Sequence, residues 1–168
     1  MTPLNALLLI ANDSEAMERL ESQYSSMGLA DAISAAAQRE VALTIATRDP
    51  LKHAHTGYAR GATIHPIRTQ RAPLIDRISS AVAADKVRAM LAKTPVGRLI
   101  NSLSPTDPSR IFARAYRNNP ASMSVTYELV IAADIAAIRT AWSLTRRHKA
   151  TAAFFGEAPA LSYLRNND

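Results

Sequence analysis

Two aspartates stand in this chain where a strand gives way to a helix, and a carboxylate at such a corner can orient a polar ligand. The stretch from Tyr127 to Phe155, YELVIAADIAAIRTAWSLTRRHKATAAFF, reads as a buried strand, an amphipathic helix and a second buried strand. In that βαβ unit Asp134 falls at the carboxyl end of the first strand. Ligands collect in open α/β sheets at such ends, beside the point where strand order reverses. Asn12 and Asp13 hold the equivalent corner after the apolar run Ala6 to Ala11. All three side chains are also ordinary helix caps, and capping does not exclude ligand contact.

Other residues could do different chemistry. Arg110, Arg114 and Arg117 recur at i, i+4 and i+7, so on a helix they project from one face, with Arg98 nearby in sequence. Guanidinium forks match phosphate oxygens, and the stripe reads either as an anion site or as a solvated face. His53 and His55 form an HxH pair with His65 not far beyond, a spacing that can offer two imidazoles to one metal ion. No carboxylate or thiolate completes a recognisable set, so these read as loop histidines and no metal is expected. One of them could serve as a general base, since histidine titrates near neutral pH. The first strand leads into Asn12-Asp13-Ser14-Glu15 without GxGxxG or GxxxxGK[ST], and the expected cofactor complement is none. Trp142 follows Ile135 and Ile138 at helical spacing and reads as a packing residue.

The elements that must position these groups alternate along the chain. Ala6 to Ala11 is a short continuous apolar run, as in a strand buried on both faces. Met17, Leu20, Tyr24 and Met27 then recur at helical spacing, with Gly28 as the stop. Asp31 to Glu40 reads as a second, alanine-rich helix, and Val41 to Ala46 (VALTIA) as a β-branched strand closed by Pro50. A loop from Leu51 to Gly61 precedes a short strand, Ala62 to Ile67, which Pro66 confines to an edge or a strand end. Pro73 to Lys93 reads as one long helix or two, Pro95 as a helical start, and Ser109 to Asn118 as a helix capped near Asp107. After the βαβ unit, Pro159 opens a short tail. The pattern predicts an α/β fold: a three-layer, Rossmann-like parallel sheet with helices on both faces, a single domain over residues 1–168.

Bulk properties agree with that class. At 168 residues the chain suits one domain with a real core and is too short for two full α/β domains. The absence of cysteine removes disulfides, thiolate metal sites and thiol nucleophiles together. No signal peptide or spanning helix is expected at the start, so the expected location is the cytoplasm, or the periphery of a membrane. The net charge of +6 is unevenly spread: residues 1–47 carry two basic and six acidic groups, and residues 48–117 carry thirteen and four. A basic middle third favours anionic partners, whether phosphorylated sugars, nucleic acid or an anionic lipid surface. Aromatic interleaving suited to base stacking is nearly absent, which places nucleic acid behind the others.

VIAADIAAIRTAWSLTRRHKATAAFF resembles the strand, D-x-x-A-x-x-x-A-W helix and following strand in the N-terminal halves of GT-B fold glycosyltransferases. ALLLIANDSEAMERLESQ and VALTIA look compatible with that fold. The resemblance implies an acceptor-side half that binds a sugar or phosphorylated acceptor, with Asp134 where the interdomain cleft opens. The donor-binding half and its E-x7-E type motif are absent, so the resemblance implies an incomplete catalyst or a partner subunit that supplies the missing half. The alternative is a non-catalytic binding protein for a polyanion, nucleic acid or an anionic membrane surface, in which the arginines act and the sheet is scaffold.

Overall fold

The computed structural model describes residues 2–11, 13–68 and 107–166. The expected helices over Pro73–Lys93 and from Pro95, together with Asn12 and Arg98, lie outside these residues. Five strands form one sheet: β1 (Leu4–Ile10), β2 (Val41–Thr47), β3 (Thr63–Pro66), β4 (Tyr127–Ala132) and β5 (Ala150–Phe155). Their order is β3-β2-β1-β4-β5 and every pairing is parallel, with Leu8 opposite Ile45 on one side and Ile131 on the other. The protein thus has the Rossmann-like α/β fold expected from the alternation of apolar runs and amphipathic stretches. Strand order reverses between β1 and β4, the neighbouring strands that bear the Asp13 and Asp134 corners.

The central strands are apolar throughout because helices cover both their faces. In β1 (LNALLLI) every residue but Asn5 is buried. Leu4, Ala6, Leu8 and Ile10 share one core with α1 (Asp13–Tyr24), α2 (Leu29–Ala36) and α7 (Glu157–Asn166). Leu7, Leu9 and Ala11 face a second core with α4 (Pro108–Arg117) and α6 (Ile135–Arg146). Crossover handedness explains the division. A right-handed connection that moves towards β5 must cross on the face opposite to one that moves towards β3. The chain moves towards β3 through α1 and α2, and towards β5 through α4 and again through α6. These last two helices therefore share a layer.

Several boundaries differ from the sequence reading. α1 ends at Tyr24, and Gly28, with φ +88°, closes it by donating its N–H to the Tyr24 carbonyl at 2.8 Å while standing as the N-cap of α2; Met27 is left half-exposed. α2 ends at Ala36, short of Glu40. Two short helices, α3 (Pro50–His53) and α5 (Pro120–Ser124), occupy stretches read as loop and helix end. The expected tail is the ten-residue α7, which buries Ala160, Leu161 and Leu164. Pro159 lies in its first turn, where the missing N–H has no intrahelical partner to lose. Gly156 makes the turn into α7 at φ +80°, a left-handed value that suits glycine.

Candidate functional site

The crevice at the strand ends is built around Asp134. Its Oδ1 accepts from the backbone N–H of Ala137 at 2.9 Å, capping α6, and its Oδ2 accepts from the N–H of Ala11 at 2.7 Å. One carboxylate thus ties the start of α6 to the end of β1, across the point where strand order reverses. Asp13 opens α1 on the β1 side of the same crevice. Beneath it, Arg19 of α1 donates from Nη2 to the Ala133 carbonyl at 2.6 Å and from Nε to Glu157 Oε1 at 3.3 Å. Glu157 is buried at the start of α7, and its Oε2 has no hydrogen-bond partner among the described residues. Arg19 and Glu157 latch α1 and α7 over the ends of β4 and β5. Neither stands out in the sequence, because their pairing joins segments 138 residues apart.

The histidines are dispersed. His53 is fully buried, its Nδ1 bonded to the Tyr58 hydroxyl, whereas His55 is exposed, so the HxH pair does not converge. His65 pairs opposite Ala46, and its Nε2 meets Asn119 Nδ2 and Ser122 Oγ, each at 2.9 Å. Among the described residues no three histidine, aspartate or glutamate side chains gather as a metal site. A shallow groove of about 550 Å³ lies away from the crevice, lined by Met17, Glu18, Glu21, Ser22, Ser25 and Thr56. Glu21 is already engaged there, accepting from the N–H groups of Gly57 and Tyr58.

The same layer as α4 holds a buried pair of tyrosines. Burial raises the Tyr116 pKa, with nearby Tyr127 adding to it. Tyr127 is also raised by burial, opposed in part by its hydrogen bonds with Tyr116 and Thr44. Unfolded tyrosines lose their protons near pH ~10. Above that pH the folded form holds more protons than the unfolded chain, so stability falls as pH rises. The contribution is intact below about pH 10 and is lost through the alkaline range. Urea midpoints measured from neutral to alkaline pH should drop on the alkaline side, and Tyr116→Phe should flatten that drop.

The arginines form the other candidate surface. α4 buries Phe112, Ala115 and Tyr116, and its Asp107 cap accepts from the N–H groups of Ser109 and Arg110. On the opposite face Arg114 and Arg117 are exposed and Arg110 is half-buried, as the i, i+4, i+7 spacing predicted. No carboxylate pairs with Arg114 or Arg117 among the described residues. Beside α4, α6 adds Arg139 and Arg146, both exposed, and neither helix carries a single carboxylate within its length. The aspartates at their two N-caps are taken up by backbone amides. The opposite layer is acidic, with Asp13, Glu15, Glu18 and Glu21 on α1 and Asp31 on α2. Among the described residues the sheet therefore separates a basic helical layer from an acidic one, a polarity hidden in a charge count along the chain.

Trp142 corrects the sequence reading. It is not a core residue: its side chain is 59% exposed, and Ile135 and Ile138 are exposed with it at 77% and 40%. α6 instead buries Ala137, Thr140, Ala141 and Leu144. The Arg146 guanidinium lies over the indole, 4.8 Å from the ring centre. Among the described residues no helix is long and apolar enough to cross a membrane. Compared with protein-family models, curated proteins and solved structures, the chain matches none of them.

Proposed function

We propose that this protein is a non-catalytic binder of a phosphate-rich polyanion, met by the outer surface of the α4/α6 layer. The observation that carries this reading is the presence of five arginines on two adjacent helices with no carboxylate between them. Cations so arranged, with no carboxylate on either helix, concentrate a positive field on that face. An acceptor-binding reading, suggested by the glycosyltransferase likeness, would seat a ligand beside Asp134. That carboxylate already accepts from Ala11 and Ala137.

The test replaces Arg110, Arg114 and Arg117 together by glutamine and measures binding to heparin or to a single-stranded oligonucleotide used as a phosphate polymer. Each cation near an anionic surface contributes roughly 1 kcal/mol. The triple variant should therefore bind about a hundredfold more weakly at low salt, with its circular dichroism unchanged. Undiminished binding by a folded triple variant would refute the proposal.

A further inference from the structure

Building on the polyanion reading, we infer that the partner is an anionic lipid bilayer, with Ile135, Ile138 and Trp142 entering its interfacial region while the arginines around them reach the headgroup phosphates. The basic layer is not merely charged. Ile135 and Trp142 lie seven residues apart on the exposed side of α6, interleaved with Arg139 and Arg146, and Ile138 flanks them. Large apolar side chains held in water beside exposed arginines fit a surface whose phosphates lie above hydrocarbon. Tryptophan is favoured at that depth, with its ring in the apolar boundary and its N–H among the headgroups. Arginine stems can lie along apolar surface while their charges stay at phosphate level.

Nucleic acid would satisfy the arginines but leave Ile135 and Ile138 in water. Stacking on a base needs an open indole face, and Arg146 already covers one. Charge also sets the orientation. With Glu15, Glu18 and Asp31 exposed on the opposite layer, an anionic bilayer attracts the α4/α6 side and repels the α1/α2 side. The apolar ridge is only three residues, so attachment needs both the ridge and the charge.

Trp142 is the sole tryptophan of the chain, so intrinsic emission reports the contact directly. The experiment titrates the full chain with vesicles of phosphatidylcholine alone, with vesicles containing phosphatidylserine, and with heparin. Emission should shift to the blue with the serine-containing vesicles and stay in place with heparin and with phosphatidylcholine alone. By vesicle sedimentation, Trp142→Ser should lower affinity for the anionic vesicles about tenfold and leave heparin affinity unchanged, and Ile135→Ser should act in the same direction. If heparin binding persists while anionic vesicles bring no blue shift and Trp142→Ser partitions like the parent chain, the bilayer inference is overturned and the polyanion proposal stands. If neither heparin nor anionic vesicles bind, both fall.

Discussion

Replacing Gly57 by alanine is expected to destabilise the fold by about 3 kcal/mol, the upper end of the usual range for overpacking. A Cβ at this position would stand 2.3 Å from the Ser25 carbonyl oxygen, 2.6 Å from its Cα and 2.8 Å from its carbonyl carbon. These are backbone atoms, so no side-chain rotation relieves the clash and the loop must lift off the end of α1. Lifting it weakens the contacts that dock it: the Glu21 carboxylate on the N–H groups of Gly57 and Tyr58, and the Leu29 N–H on the Tyr58 carbonyl. For a chain of this length the loss corresponds to a melting temperature lower by roughly 6–12 °C. Gly61→Ala is the internal control. Its left-handed φ of +72° strains an alanine, but no atom lies within 4 Å of the added carbon, so the cost should be about 1 kcal/mol. Thermal unfolding of both variants checks the expectation, and equal losses would contradict the steric explanation.

Asp134→Ala should cost a similar amount for a different reason. The change removes the α6 cap, worth about 1 kcal/mol, and strands the buried N–H of Ala11, worth roughly another 1–3 kcal/mol. A total near 3 kcal/mol follows. Asp134→Asn should be milder, since the amide keeps one acceptor oxygen but places an N–H₂ donor against one of the two backbone donors. Urea unfolding gives the magnitudes, and amide hydrogen exchange locates them. Faster exchange at Ala11 and Ala137 in the alanine variant would identify this carboxylate as the tie between β1 and α6. Unchanged exchange at Ala11 would mean that the tie does not hold.

Fold class was legible in the sequence because the decisive signals are local. The runs that became β1, β2 and β4 are continuous and apolar, and the stretches between them repeat at helical spacing. Strand order was not legible: it is a matter of which distant segments pair. For that reason the charge polarity between layers escaped a reading that divided the chain into thirds. The arginine stripe of α4 was visible from its own spacing, but its continuation on α6 depends on two crossovers sharing a face.

Trp142 shows the same limit within one helix. α6 offers two stripes at helical spacing, one of Ile135, Ile138 and Trp142, the other of Ala137, Thr140, Ala141 and Leu144. Hydrophobicity favours the first as the inward face. Close approach to the sheet and to α4 favours the small residues of the second. The width of that gap is a tertiary property, and it decides the outcome. The short tail expected after Pro159 is helical because a proline in the first turn of α7 has no intrahelical hydrogen bond to lose.

The claim that α4 and α6 present one continuous basic surface is tested most directly by the salt dependence of binding to a single-stranded phosphate polymer. Each phosphate neutralised contributes about 0.7 to the slope of log affinity against log salt, so five arginines predict a slope of roughly −3.5. The triple glutamine change on α4 should reduce its magnitude by about 2, and Arg139→Gln with Arg146→Gln by a further 1 or more. Successive losses from both helices are the predicted result. A slope that responds to the α4 changes but is untouched by those on α6, or an affinity indifferent to salt, would contradict it.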